Sequence, residues 1–424
     1  MLTTSLVSCL LAVAPSLQVA QAPSPPADLA PVVEWVQQHA VPLKTPEAGN
    51  GFEDMEPLRS IIGKARIVAL GEATHGTREF FQLKHRMLEF LVERMDFSVF
   101  AIESSFAECV AVNDYVEHGR GDIAAALNGQ GFWTWDTEEV LALIEWMRAY
   151  NADPERGRTL RFYGVDMQSS APAVAGALAY IRGIDAGLAD ALAADLEPLG
   201  RPTIFADYPD LSGAEREAIG FALEGMLDFM DGERDMLVDA TSEREWSLAR
   251  QHGVNAQQAN QHMARGGAGT FREECMAANV AWMLEHEPAD TRVVVWAHNA
   301  HVNKGELPGA SGMMGYHLDR AFGDEHVAFG MSFHHGGFQA MAQPRPADDP
   351  LPALRQFELE PPSAGAIGSV LAQSGHALFA LDLRDSPETG PVWDWLNSPL
   401  PMRIIGSTFS SQQAQVSFQP SSPP

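Results

Sequence analysis

Apolar residues in this chain gather in short runs: Arg66 to Leu70, Ser98 to Ile102, Thr159 to Val165, Arg292 to Ala297, Val327 to Met331 and Ala377 to Leu383. Gly, Asp or Asn bounds most of them, and stretches of helical period separate them. Runs of this length read as strands buried on both faces, and their alternation with helices predicts an α/β fold with a mostly parallel central sheet flanked by helices. Residues 23–424 are read as one such domain. The region 186–287 breaks the alternation. It holds "ALADALAADLEPL", "GAEREAIGFALEGMLDFMD" and "SEREWSLARQHGVNAQQANQHMARG", all of helical period with no strand among them. It is expected to be a helical insertion over or beside the sheet. Residues 410–424, "SSQQAQVSFQPSSPP", are expected to form a loose tail.

Ligands of open parallel sheets bind beyond the carboxyl ends of the strands. The residues that end each run therefore carry the chemistry. They are Glu72 and His75 in "GEATHGT", Glu103 in "SVFAIESSF", Asp166 in "YGVDMQ", and His298 and His301 in "VVVWAHNAHV". Carboxylates and imidazoles thus converge on one sheet edge. The helix after "GEATHGT", expected to be capped near Thr77, carries an apolar stripe of Phe80, Leu83, Met87, Leu88, Leu91 and Met95. Lys84 falls within it, about 40° from Phe80 and about 20° from Leu91. A buried amine needs a carboxylate partner or a function, unless its stem packs and its head reaches water. Glu103 needs a donor, which Lys84 or a histidine can supply; the plainer role is a helix cap or structural ion pair.

Other positions are read more lightly. His298 and His301 suit metal ligation, or one base and one hydrogen-bonding partner. Arg272 shares a helical line with Met276, Asn279 and Met283, which turns it toward the sheet, although an ion pair with Glu273 or Glu274 suits it too. Asp166 can orient a histidine, cap a helix or touch substrate. Trp133 and Trp135 are candidates for lining an apolar cleft.

Composition narrows the partners. The chain has 424 residues, 46% of them hydrophobic, enough for a large core, and a net charge of −28. Such a surface repels nucleic acid, and no Lys/Arg cluster suggests anionic lipid. A small molecule is the expected partner. Residues 1–22 read as a secretory signal, with an apolar segment from Leu6 to Leu17 too short to span a bilayer and a small-x-small site at Ala20 to Ala22. A periplasmic or secreted protein is expected, with no membrane span. Cleavage would leave Cys109 and Cys275, too few for a metal cage. No G-x-S-x-G elbow, P-loop, G-x-G-x-x-G or H-E-x-x-H occurs. Water activated by a histidine or by a metal is then the open route to hydrolysis.

Taken in order, "LGEATHGTREFFQLKHRMLEFLVE", "AIESSF", "FWTWDTEEVLALIEWMRAYN", "YGVDMQ", "FREECMAANVAWML" and "WAHNAHV" resemble the erythromycin esterase family, from Ile67 to Gly330 and more weakly through "PMRIIG" at 401–406. The resemblance implies an α/β fold in which a helical insertion forms part of a deep cleft. It also implies hydrolysis of an ester or macrolactone by water, with His75 as general base and Glu72 beside it. Glu103 is implied as the second catalytic carboxylate, His298 and His301 as the histidines of one block, and Arg272 as the arginine of another. It leads one to expect arginine, as in macrolide-hydrolysing relatives, where this chain has Lys84. No cofactor is implied. The residues themselves leave open a divalent metal held by Glu72, His75, Glu103 and His298, and a non-catalytic exported protein that binds a metal or apolar ligand.

Overall fold

The computed structural model describes residues 28–410 except 268, 306–311, 344–348, 350 and 399, together with 416–418. Five strands form the central sheet: β1 (Ile67–Leu70), β2 (Val99–Ser105), β3 (Arg161–Asp166), β4 (Val293–Trp296) and β5 (His326–Phe329). All pair in parallel, in the order β3-β2-β4-β1-β5. The chain leaves a gap between β1 and β2 that β4 fills much later in the sequence. The mixed α/β fold with a parallel sheet is therefore the one expected.

Strand side chains alternate between faces with period two. Val68, Leu70, Phe100, Ile102, Phe162, Val294 and Trp296 pack on one side, against Phe81, Leu88 and Leu91 of helix α1 (Arg78–Met95). Ile67, Ala69, Val99, Ala101, Val165, Val293 and Val295 pack on the other. There they meet Met276, Val280 and Met283 of helix α3 (Phe271–His286). Between β3 and α3 the described chain is helical, including helix α2 (Glu243–Ala264). Those helices share a core of their own from Ala173 to Met263, so α3 belongs with the sheet and α2 stands over it.

The last apolar run does not join the central sheet. Phe379–Ala380 pairs with Val41–Pro42 in a two-stranded antiparallel patch. A small separate sheet, not foreseen, pairs β6 (Gly336–Ala342) with β7 (Leu354–Leu359) and with Thr408–Phe409. It holds the "GEATHGT" turn, for the Gln339 amide donates to the Gly76 carbonyl at 3.0 Å. A Cβ on Gly76 would collide with the Gln339 carbonyl, so that contact requires glycine. Within the expected tail, Val416–Phe418 pairs with Leu400–Met402; 411–415 and 419–424, like the signal segment 1–22, lie outside the described residues. No helix among the described residues is long and apolar enough to cross a membrane. Cys109 and Cys275 are both buried and unpaired.

Candidate active site

The strand order explains why the site forms. With β4 between β1 and β2, the turn after β4 lies between the turns that follow its neighbours. Glu103 is further aimed by a bulge: Ile102 pairs with Gly164 and Ser105 with Asp166, so β2 carries one extra residue there. The bulged backbone passes close over β3, and a Cβ on Gly164 would run into the Ser104 carbonyl oxygen.

One half of the site belongs to β1 and α1. Glu72 is completely buried and divides its carboxylate between two partners. Its Oε1 meets His75 Nδ1 at 2.9 Å, and its Oε2 accepts from the Lys84 ammonium. Lys84, also completely buried, donates to the Ala297 carbonyl at 3.1 Å and lies 4.7 Å from the Trp296 ring centre. The apolar-stripe lysine thus has the carboxylate partner its position demanded. Glu72 acting as acceptor places the His75 proton on Nδ1 and leaves Nε2 with its lone pair. Burial lowers the His75 pKa, opposed by the Glu103 charge and aided by His301 and Arg272. Burial works to lower the Lys84 pKa, with Glu103 opposing, and the Glu72 carboxylate in direct contact keeps the proton on the amine.

The other half is a charged chain. His301 Nε2 meets Glu103 Oε1 at 3.0 Å and its Nδ1 meets Glu273 Oε2 at 2.8 Å. Burial disfavours its charge, but Glu103 and Glu273 more than offset that and raise the pKa to about 10. His301 is an imidazolium held between two carboxylates. Burial alone would raise Glu103, yet His301, then His75 and Arg272, hold it well below the usual range. Arg272 reaches Asp166 at 2.6 Å and Glu103 at 3.3 Å through Nη2. Asp166 is lowered against its own burial by Arg272 and Gln168.

Several expected roles change. His298 is engaged as a hydrogen-bonding partner of the main chain rather than free as a base or metal ligand, since both ring nitrogens face the backbone. Its Nδ1 accepts from the Ala300 amide at 3.3 Å and its Nε2 meets the Ile405 carbonyl at 3.2 Å. Burial brings its pKa to about 3, and the neutral ring lies 4.9 Å from that of His75. Trp135 contributes almost no accessible surface to a cleft, being 2% exposed. It packs edge-on to His75 and donates to the Glu103 carbonyl at 2.9 Å. Trp133 is half-buried. Asp166, at 1% exposure, holds Arg272 rather than presenting itself to a ligand.

Two participants were missed. Glu273, read only as a surface partner of Arg272, lies on the buried line Glu273, Ala277, Val280, Leu284. The argument that singled out Lys84 would have found it. The Ile405 carbonyl had no signal, because it depends on a distant loop bridging to Thr74. Of the four residues considered as metal ligands, Glu72 meets His75 and Lys84, Glu103 meets His301, Arg272 and the His298 amide, and His298 accepts from the Ala300 amide, while His75 keeps its Nε2 lone pair. Among the described residues no group of three or more His, Cys, Asp or Glu is placed to hold a metal ion.

The profile of the family "Erythromycin esterase" matches residues 92–424, a stretch that contains Glu103, Asp166, Arg272, Glu273, His298 and His301 and begins after His75. The chain is 26% identical to erythromycin esterase type II of Escherichia coli over 393 residues, covering 84% of this chain and 89% of that protein. It is 33% identical to the putative hydrolase YbfO of Bacillus subtilis (strain 168) over 135 residues, 32% of this chain and 29% of that one. Among solved structures, a succinoglycan biosynthesis protein superposes with a TM-score of 0.79 at 24% identity, covering 93% of this chain and 95% of the other. A mutant of the erythromycin esterase EreC in its open conformation gives 0.65 at 19% identity, covering 87% and 91%. These two likenesses are of fold.

Proposed function

The chain belongs to the erythromycin esterase family, a family of hydrolases, and from that premise we propose that it hydrolyses an ester or macrolactone with water activated by His75. The observation that carries this reading is the Lys84–Glu72–His75 chain, which fixes the imidazole in the tautomer that leaves Nε2 free. His75 Nε2 takes a proton from water as the water oxygen bonds to the acyl carbon. The resulting imidazolium is stabilised by Glu72, its charge partner in the buried chain. The proton then passes to the departing alkoxide as the acyl C–O bond breaks, so acid and alcohol leave and His75 returns neutral. Arg272, 20% exposed at its side chain, is the cation available to the developing oxyanion, where fixed donors contribute most. His298 and Trp135 hold the His75 ring in place.

No metal takes part in this reading, in which His75 Nε2 serves as the base for water and Glu72 and Glu103 serve their protein partners. Macrolide inactivation is one form of the reaction, and export through residues 1–22 would place it outside the cytoplasm. The test is turnover of a panel of macrolides and simple esters by purified protein, with and without chelation, against His75→Ala. Loss of about 10²–10⁴-fold in kcat is expected of the variant, with no effect of chelator. Turnover of no ester, or turnover indifferent to the substitution, overturns the proposal.

A further inference from the structure

Arg403 is an anomaly of charge. Asp and Glu outnumber Lys and Arg 56 to 28 in this chain, yet its guanidinium, on a residue only 6% exposed, has no carboxylate partner among the described residues. Burial lowers its pKa, and a buried cation is ordinarily paired. Its bonds go to the main chain instead. Nη1 donates to the His334 carbonyl at 2.6 Å and Nη2 to the Glu360 carbonyl, while the guanidinium carbon lies 5.3 Å from the centre of the Phe333 ring. Arg292 is bonded in the same manner. It donates to the Gly63, Ala65 and Met95 carbonyls and lies 4.3 Å from the centre of the Phe97 ring. It stands just before β4, at the edge of the sheet away from the site. An arginine used in this way supplies reach and a rigid fork, which can hold carbonyls from separate segments at a fixed spacing.

What Arg403 joins gives the fork its purpose. His334 follows β5 and Glu360 follows β7, so two strand ends are tied to the segment that carries the arginine. Phe333 packs edge-on to Phe80, one turn before Lys84 on α1, with ring centres 6.0 Å apart. Two residues beyond Arg403, Ile405 meets the base on both of its main-chain groups. Its amide donates to the Ala73 carbonyl at 2.7 Å, within the turn that carries His75, and its carbonyl meets His298 Nε2 at 3.2 Å. A carbonyl only accepts, so the His298 proton is on Nε2. The ring fixed in this way lies 4.9 Å from that of His75. A short segment with Arg403 at one end therefore supports the base from two directions at the other.

We propose that Arg403 is a positioning residue of the hydrolytic site: its fork sets the 403–405 segment, and through Ile405 it fixes the His298 ring and the turn that carries His75. The proposal rests on the hydrolase reading above, and two readouts separate them. One is the ring N–H spectrum of protein labelled with ¹⁵N-histidine, in which the His298 Nε2–H signal is assigned by its absence from His298→Asn. The other is turnover of an ester that wild type hydrolyses. Arg403→Met should broaden the His298 signal through exchange with water and lower kcat by about ten- to hundredfold, with KM changed by less than about twofold. Arg403→Lys keeps a donor of similar reach and should recover part of both. Arg292→Met removes the same kind of clamp at the far edge of the sheet. It should lower the urea midpoint yet leave the His298 signal in place and kcat within about twofold of wild type. A His298 signal and kcat that survive Arg403→Met, or an Arg292→Met protein that loses both as well, overturn the proposal. Should Arg403→Met not fold, Arg403→Gln, whose single amide can serve one carbonyl only, takes its place under the same outcomes. If wild type turns over no ester, the hydrolase reading fails and the His298 signal alone decides. Its loss in the Arg403 variant and survival in Arg292→Met support the positioning role; the same result in both overturns it.

Discussion

Replacing Lys84 by Met tests the centre of the proposed base. Both members of the Glu72–Lys84 pair are 0% exposed, so the substitution leaves a carboxylate in the core with its counter-charge gone. It also strips the Ala297 carbonyl of a donor and removes the cation beside the Trp296 ring. Breaking a buried pair from one side costs about 3–5 kcal/mol, and Glu72→Gln, which strands the ammonium instead, should cost a similar amount. The double variant Glu72→Gln/Lys84→Met strands neither charge. The introduced amide can still accept from His75 Nδ1 and the methionine fills most of the lysine volume, so its cost should be on the order of 1–2 kcal/mol. The two single losses should then exceed the double loss by about 4 kcal/mol or more. Urea unfolding at neutral pH, followed by tryptophan fluorescence, measures all four proteins. Trp296 and Trp135 adjoin the site and make the probe local. Activity supplies a second reading: Lys84→Met should slow turnover, because a Glu72 that has taken up a proton no longer stabilises the His75 imidazolium. Additive losses, or a Lys84→Met protein within about 1 kcal/mol of wild type, would refute the buried-pair account.

Three further outcomes follow from the geometry. His301 has a folded pKa near 10, above its ordinary value of about 6.5. Its stabilising effect is therefore complete below about pH 6.5 and is lost as pH rises toward 10; a urea midpoint measured from pH 6 to 10 should fall, and fall less in Glu273→Gln. Glu103 and Asp166 are depressed, so their contribution is present above about pH 4.5 and is lost on acidification through their folded values. Gly76→Ala should destabilise by about 1–3 kcal/mol and depress activity, since the new methyl meets the Gln339 backbone and must displace the turn that carries His75; calorimetry with an ester assay reads both. Asp166→Asn, which releases Arg272 from its closest carboxylate, should lower stability by on the order of 3 kcal/mol and reduce kcat more than it changes KM.

What could be read from the chain follows the range of each interaction. The five sheet strands and the strand-end residues were legible, because burial on two faces writes a local apolar run and a parallel sheet collects the run ends on one edge. Lys84 was legible because a charge in an apolar stripe is a local anomaly. Its partner was not: the sequence offered Glu103 as the acid for Lys84 to serve, and the packing of α1 instead sets the ammonium on Glu72, leaving Glu103 to His301 and Arg272. The orientation of the His298 ring was hidden for a related reason. It depends on the Ile405 carbonyl, a main-chain group more than a hundred residues away that has no side-chain signature. The β6–β7 sheet was missed because its strands are half-exposed and interleave glycine, glutamine and charged residues with the apolar ones, so neither writes the continuous apolar run that marked the central strands.

The two halves of the site differ in one respect that assigns their chemistry. Each sets a histidine against a buried carboxylate, but the environments push the two imidazoles in opposite directions, and pairs so separated mark acid–base roles. His301 faces carboxylates on both nitrogens, so its proton is held on either side and it cannot act as a base near neutral pH. His75 faces a single carboxylate whose other oxygen is already taken by Lys84. That leaves His75 neutral, with one nitrogen uncommitted. The surrounding charge supports a gained proton there, because Glu103 acts on His75 in the direction that favours the imidazolium. Lys84 is what keeps the arrangement from collapsing into a second fixed ion pair. Without its ammonium on Oε2, a lone buried Glu72 would either take up a proton or draw one permanently onto His75, and in both cases the base would be lost.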